Sequence, residues 1–230
     1  MELQLAFDVI NKERALEIAR ELDGIVDIIE MGTPFSFVNP ISVVREFKDA
    51  APNTRILSDF KIMDGGYGMA KIAYDAGADV TTVSARTWDD TIKQAIESAR
   101  DHNKQILVDM MGMPEEQIAE RGAEIDAMKP DYICIHRAVS VASSSSPEKP
   151  LQLLRSSVKY AKIAVAGGIN LDTLPQVVAS KPDLVIIGSA IANSQNPVAV
   201  AKEMRRIMEG VKYDCETNGT GRIGGAATDC

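Results

Sequence analysis

The feature that most constrains this chain is a regular alternation of short apolar, β-branched runs with amphipathic helical stretches. The candidate strands read LQLAFD (3–8), VDIIEM (26–31), RILSDF (55–60), DVTTVS (79–84), QILVDM (105–110), DYICIH (131–136), KIAVAG (162–167) and DLVIIG (183–188). Between them, segments such as NKERALEIARELDG and DDTIKQAIESARDHNK carry apolar residues at helical spacing. Asn11 and Asp172 stand where helix N-caps are expected, and Gly24 and Gly77 where helices should stop. Eight strand–helix units in 230 residues fit an α/β chain of the (β/α)8 TIM-barrel class.

An open doubly wound sheet shows the same alternation, so the placement of polar residues has to decide. Asp8, Glu30, Asp59, Asp109 and His136 all fall at or next to the C-terminal ends of their strands, and glycines follow strands seven and eight. That end is where barrels build active sites. The first strand is followed by DVINKER rather than a glycine-rich dinucleotide loop, which argues against an open-sheet nucleotide binder. The barrel is expected over residues 1–210. Beyond it, VKYDCETNGTGRIGGAATDC (211–230) is rich in Gly, Thr and Asn and reads as a flexible tail or linker.

Net charge and cysteine usage narrow the setting. A formal charge of -8 argues against nucleic-acid or anionic-membrane partners while still allowing a local pocket for a small phosphorylated ligand. No apolar run approaches a membrane span, and MELQLAFDVI lacks a basic leader. Cys134, Cys215 and Cys230 have no metal-type spacing, and Cys134 sits in an apolar run as a small core residue. A cytoplasmic protein is expected.

The chemistry centres on LSDFKIMDGG (57–66), where two acids flank a lysine at the end of an apolar run. Burying such charges is costly unless they pair or meet a ligand. Glu30 and Asp59 end strands two and three, neighbours in a barrel. Two carboxylates so placed can chelate a hard cation such as Mg²⁺, which takes further oxygens from water and substrate. Each could instead pair with Lys61 or cap a helix. Lys61 follows Asp59 by two positions, so strand alternation aims both to one side. The acids Asp59 and Asp64 around it favour its charged form, suited to an electrophile or proton donor. Asp64 lies past the strand end and need not point into its own barrel; DGG there can be a simple turn.

His136 is one of two histidines. A strand-end histidine often does no more than pack and hydrogen-bond, but one facing carboxylates is a candidate proton shuttle. His102 reads as a surface residue, and Trp88 as core or rim packing at the start of a helix. VAGGI (165–169) and IIGSAI (186–191) place Gly167, Gly168, Gly188 and Ser189 after strands seven and eight. Backbone N–H groups exposed there commonly hold a phosphate. The serine run 143–146 reads as a mobile loop near the site.

Taken together, LQLAFD, VDIIEMGTPF, DFKIMDGG, VDMMGM, IAVAGGI and IIGSAI resemble the orotidine 5′-monophosphate decarboxylase suprafamily, over residues 2 to 209. Within it they are similar to the branch of 3-hexulose-6-phosphate synthases and 3-keto-L-gulonate-6-phosphate decarboxylases. The resemblance implies a homodimer with active sites at the subunit interface. It implies Mg²⁺ on Glu30 and Asp59, Lys61 at a reacting enediolate, and Asp64 reaching into the partner's site. Asp8 would bind substrate hydroxyls, Asp109 matches an acidic position of the family, and His136 matches its proton-transferring histidine. Gly167, Gly168, Gly188 and Ser189 would lie at the phosphate.

Three departures from the decarboxylase pattern favour the synthases: VDMMGMPEE after strand five, Ser189 after the last-strand glycine, and Val139 past the histidine. IHRAVS, in turn, lacks the synthases' usual glycine-containing stretch. The expected activity is therefore an Mg²⁺-dependent aldol addition of formaldehyde to D-ribulose 5-phosphate. The alternatives are decarboxylation of 3-keto-L-gulonate 6-phosphate, or a non-catalytic barrel that binds a sugar phosphate.

Overall fold

The computed structural model describes residues 1–138 and 147–210. Eight strands, β1 (Glu2–Phe7), β2 (Ile28–Met31), β3 (Arg55–Ile62), β4 (Val80–Ser84), β5 (Gln105–Asp109), β6 (Tyr132–His136), β7 (Lys162–Ala166) and β8 (Leu184–Ile187), form a closed parallel barrel in chain order. β1 pairs with both β2 and β8, which closes the ring. The helices are α1 (Lys12–Leu22), α2 (Thr33–Val38), α3 (Val43–Ala50), α4 (Gly66–Asp75), α5 (Asp89–Asp101), α6 (Ile118–Ala127), α7 (Glu148–Ser157), α8 (Leu174–Ala179), α9 (Ser189–Ala192) and α10 (Pro197–Met208). This is the (β/α)8 barrel expected from the alternation. No helix among the described residues is long and apolar enough to cross a membrane.

Parallel strands buried on both faces make two cores. Leu3, Leu5 and Phe7 of β1 pack outward into the layer shared with the helices, while Ala6 belongs to the barrel lumen. The same two-residue phase runs round the ring, and it builds the site. Lumen residues Ala6, Ile28, Leu57, Val80, Leu107 and Cys134 are followed two positions later by Asp8, Glu30, Asp59, Thr82, Asp109 and His136. On β7 and β8, two steps beyond Ala166 and Ile186 come Gly168 and Gly188. The lumen is thus apolar at depth, polar at the C-terminal mouth, and marked by glycine where β7 and β8 reach that mouth.

At the opposite end, Arg55 donates to Gln105 Oε1 (2.8 Å), Tyr132 Oη (3.0 Å) and Glu2 Oε1 (2.9 Å), and Tyr132 Oη donates to Glu2 Oε2 (2.8 Å). These paired polar groups close the bottom of the barrel.

The even-numbered strands start later than the apolar runs suggest, for one recurring reason. An aspartate precedes each even-numbered strand and accepts the N–H of a residue on the strand before it. The pairs are Asp27 with Leu3 (2.7 Å), Asp79 with Ile56 (3.0 Å), Asp131 with Ile106 (3.0 Å) and Asp183 with Ile163 (2.8 Å). These acids anchor strand starts rather than belonging to strands.

Other local expectations divide. Asn11 caps α1, accepting from Arg14 N at 3.1 Å. Gly24 (φ +74°) and Gly77 (φ +108°) follow helix ends in the left-handed region that glycine adopts without a Cβ penalty. Asp172 is not an N-cap: Asn170 Oδ1 accepts from Asp172 N and Thr173 N, and α8 begins at Leu174. Trp88 is not packed in the core, being 84 % exposed at the start of α5. His102 is half-buried rather than a free surface residue, with Nδ1 2.7 Å from Ser98 O and its ring near Tyr67 and Tyr74. The serine run 143–146 and the tail from 211 lie outside the described residues.

Candidate active site

The mouth of the barrel opens a cavity of about 730 Å³, lined among others by Asp8, Glu30, Asp59, Lys61, Asp109 and His136. Gly167, Gly168, Gly188 and Ser189 line its glycine-rich flank. One cavity therefore gathers every candidate site residue except Asp64. That residue is exposed, and its Oδ1 accepts Gly65 N at 2.7 Å.

Charge is concentrated on the β2–β6 side. Asp59, 4 % exposed, accepts from Thr33 Oγ1 (2.6 Å) and Thr33 N (3.2 Å) at Oδ2, and from Thr82 Oγ1 (2.7 Å) at Oδ1. Lys61 Nζ contacts Asp59 Oδ2, donates to Thr33 Oγ1 (3.2 Å) and lies 3.5 Å from Asp109 Oδ2. Burial alone would lower the Lys61 ammonium. The carboxylates of Asp59 and Asp109 outweigh it and hold the group well above its ordinary value. Lys61 is thus a fixed cation rather than a base or an imine-forming amine.

Asp109, also 4 % exposed, receives His136 Nδ1 at 2.8 Å on Oδ2 and Met111 N at 2.8 Å on Oδ1. Burial pushes its carboxyl up, but the hydrogen bond and charge of His136, with Lys61, bring it below the usual range. An ionised Asp109 accepts a proton-bearing Nδ1, which leaves Nε2 as the imidazole nitrogen free for proton transfer.

Glu30 behaves oppositely. Burial, then the Asp59 charge, raises its carboxyl well above the ordinary value, even though Gln4 Nε2 donates to Oε2 at 2.6 Å. Asp8 at the mouth is raised too, by enclosure in the cavity walls and then by Asp59. Four acids, Asp8, Glu30, Asp59 and Asp109, line one cavity with one lysine, so like charges crowd the mouth. Oxygen donors from adjacent strands suit a hard divalent cation, with Glu30 and Asp59 the buried pair. Among the described residues no group of three His, Cys, Asp or Glu side chains is placed to hold a metal ion. A cation bound through two carboxylates needs further oxygens from water or substrate.

Asp8 packs against glycine backbone: a Cβ on Gly32 would lie 2.2 Å from Asp8 Oδ1. At Gly167 (φ +101°) a Cβ would lie 2.1 Å from Arg137 O, so this turn needs glycine on two counts. Cys134 is a buried lumen residue as expected, and burial, with Asp109 and Glu30 nearby, raises its thiol well above the ordinary value. It is an inert wall of the cavity.

Sequence reasoning passed over Gln4, Thr33 and Thr82, which hold the charged groups in place. Gln4 and Thr82 share the lumen phase of Asp8 and Asp59, which was the available signal. Thr33 carried none beyond following Gly32. Plain strand alternation accounts for the Asp59–Lys61 proximity only if β3 is regular. The structure differs: β3 is irregular there, and Lys61 has φ +44°.

The family model for the orotidine 5′-phosphate decarboxylase / HUMPS family matches residues 1–204. A 3-hexulose-6-phosphate synthase of Bacillus subtilis (strain 168) is 43% identical over 210 residues, covering 90% of this chain and 99% of the relative. Among solved structures, one 3-hexulose-6-phosphate synthase is 34% identical with a TM-score of 0.83, covering 90% of this chain and 100% of its own. Another, from Salmonella typhimurium, is 32% identical with a TM-score of 0.86, covering 91% and 99%.

Proposed function

This chain belongs to the orotidine 5′-phosphate decarboxylase / HUMPS family, and we propose that it joins formaldehyde to D-ribulose 5-phosphate, giving D-arabino-3-hexulose 6-phosphate. It is a carbon–carbon lyase of the aldehyde-lyase class, like its relatives named 3-hexulose-6-phosphate synthase. The observation that carries the reading is the Lys61 ammonium set between Asp59 and Asp109, with Asp109 hydrogen-bonded to His136 in the same cavity. A fixed cation beside an oriented imidazole is what making an enediolate requires.

The steps follow from the side chains. His136 Nε2 takes a proton from C1 of the ketose while Asp109 steadies Nδ1. The electron pair left behind spreads onto the C2 oxygen, and Lys61 Nζ offsets the charge there. C1 then attacks the formaldehyde carbon, the carbonyl electron pair moves to its oxygen, and that oxygen takes the proton from His136. Asp8 holds substrate hydroxyls at the mouth. Gly167, Gly168, Gly188 and Ser189 take the phosphate on the glycine-rich flank of the cavity.

Glu30 and Asp59 would hold Mg²⁺. Such a cation would supply positive charge where negative charge develops on substrate oxygen. Support for it lies in the hard-oxygen donor set, and in the Glu30 carboxyl that burial and then the Asp59 charge raise.

Support for a homodimer with shared sites, which the family resemblance implies, lies in the placement of Asp64. Its carboxylate is exposed outside its own cavity, with exposed Met63 beside it and exposed Met69 and Ile72 on α4. Mixing K61A and D64N proteins tests this. Partial recovery of activity from two weakly active parents is expected from shared sites, and none from independent ones.

The reaction is tested by following formaldehyde loss with D-ribulose 5-phosphate and Mg²⁺, with and without chelator. Chelator-sensitive consumption is expected. Carbon dioxide release from 3-keto-L-gulonate 6-phosphate without formaldehyde consumption would make the decarboxylase reading correct. Turnover with neither substrate would point to a sugar-phosphate-binding barrel.

A further inference from the structure

The pairing of β3 with β4 contains a slip beside the reactive lysine. Ser58 aligns with Thr81, yet the next aligned pair is Ile62 with Val83. β3 therefore has extra chain between two fixed points, and Lys61 takes up part of the slack at φ +44°. That region is disfavoured for any residue with a Cβ and persists only where neighbours impose it. The residue opposite this slack is Thr82, buried at 3 % exposure. Its Oγ1 accepts Lys61 N at 2.8 Å and donates to Asp59 Oδ1 at 2.7 Å. A threonine hydroxyl has one donor and two acceptor sites, so this single group can satisfy both bonds.

Thr33 also touches this pair, at Asp59 Oδ2, at Asp59 O and at Lys61 Nζ. Thr82 reaches the lysine backbone. We infer that Thr82 is the positioning residue that locks the irregular turn of β3, fixing the Lys61 backbone and the Asp59 carboxylate relative to each other. Without the hydroxyl, Lys61 N loses its partner, the left-handed conformation loses its anchor, and Nζ no longer returns to one place between Asp59 and Asp109. Barrel closure is unaffected, because the β4–β5 register runs unbroken from Val80 to Ser84.

The effect on turnover rests on the reaction proposed above; the effect on the Lys61 backbone does not. The test compares wild type with T82V, which keeps the shape and removes the hydroxyl, and T82S, which keeps the hydroxyl. Steady-state kinetics are read alongside hydrogen exchange at the Lys61 amide. T82V is expected to lower kcat by about 10–100-fold, with KM for D-ribulose 5-phosphate changed less than about 3-fold. Its Lys61 amide should exchange faster, while T82S stays near wild type in both readouts. Should T82V fail to fold, T82S against T82A isolates the same hydroxyl. Unchanged amide exchange on removing the hydroxyl would overturn the inference, as would equal losses in the serine and hydroxyl-free variants. If wild type itself consumes no formaldehyde, the proposed reaction fails while amide exchange still decides the role of Thr82.

Discussion

Asp109 and His136 are joined by a 2.8 Å hydrogen bond between neighbouring strand ends, and Asp109 is almost sealed from solvent. The acid is also 3.5 Å from Lys61 Nζ, so one carboxylate ties the cation to the imidazole proposed to move protons. Asp109→Asn keeps the shape but replaces an acceptor with a group that can donate to Nδ1. Nε2 would then carry the hydrogen and could not accept the C1 proton. Turnover should fall about 10²–10⁴-fold with little change in Tm. A loss below 3-fold would separate Asp109 from the chemistry.

Glu30→Gln removes one of the four acids that line the cavity, the others being Asp8, Asp59 and Asp109. Without divalent cation the variant should melt a few degrees above wild type, since about 1 kcal/mol moves Tm by roughly 2–4 °C at this size. Adding Mg²⁺ should raise the wild-type Tm and leave Glu30→Gln nearly unmoved, and activity should be lost. Thermal melts with chelator and with Mg²⁺ check both points. An equal Mg²⁺ shift in the two proteins would remove Glu30 from the cation site.

Asp79 offers a stability test away from the mouth. It accepts from Lys48 (2.7 Å), Lys104 (2.7 Å) and Ile56 N (3.0 Å). Burial raises its carboxyl, but the bonds from Lys104, Lys48 and Ile56 outweigh that and hold it below the ordinary value. A group depressed in the folded state stabilises above its unfolded pKa of about 3.9, and that contribution fades as pH falls through the folded value. Asp79→Asn should therefore cost about 1–3 kcal/mol at neutral pH, with the gap closing toward pH 3. Urea unfolding across that range measures it; a gap independent of pH would mean that charge is not what Asp79 contributes.

The barrel and most of the site were legible because both depend on the same period of two. Once Ala6, Leu57 and Leu107 are read as inward, Asp8, Asp59 and Asp109 must stand at the mouth. What escaped depends on details that periodicity does not carry. Threonine is at home in any strand, so Thr82 gave no sign that its hydroxyl serves two residues of β3. The left-handed Lys61 was hidden because strand alternation already gave it a plausible neighbour. Asp172 looked like a cap from its place before an apolar run, but the side chain of Asn170, two residues earlier, is the one that accepts the N–H groups. The aspartates before the even strands were read as strand residues because their bonds run to a neighbouring strand.

The central claim is that this cavity makes an enediolate at C1 of a pentulose phosphate with Lys61 as the charge that stabilises it. Proton NMR of D-ribulose 5-phosphate in D₂O, with Mg²⁺ and no aldehyde, tests it most directly. Wild type should wash out one C1 proton, and Lys61→Ala should slow that exchange at least about 10²-fold while the sugar phosphate still binds. Exchange as fast in Lys61→Ala as in wild type, or formaldehyde consumed by a wild-type enzyme that never exchanges C1, would contradict the account.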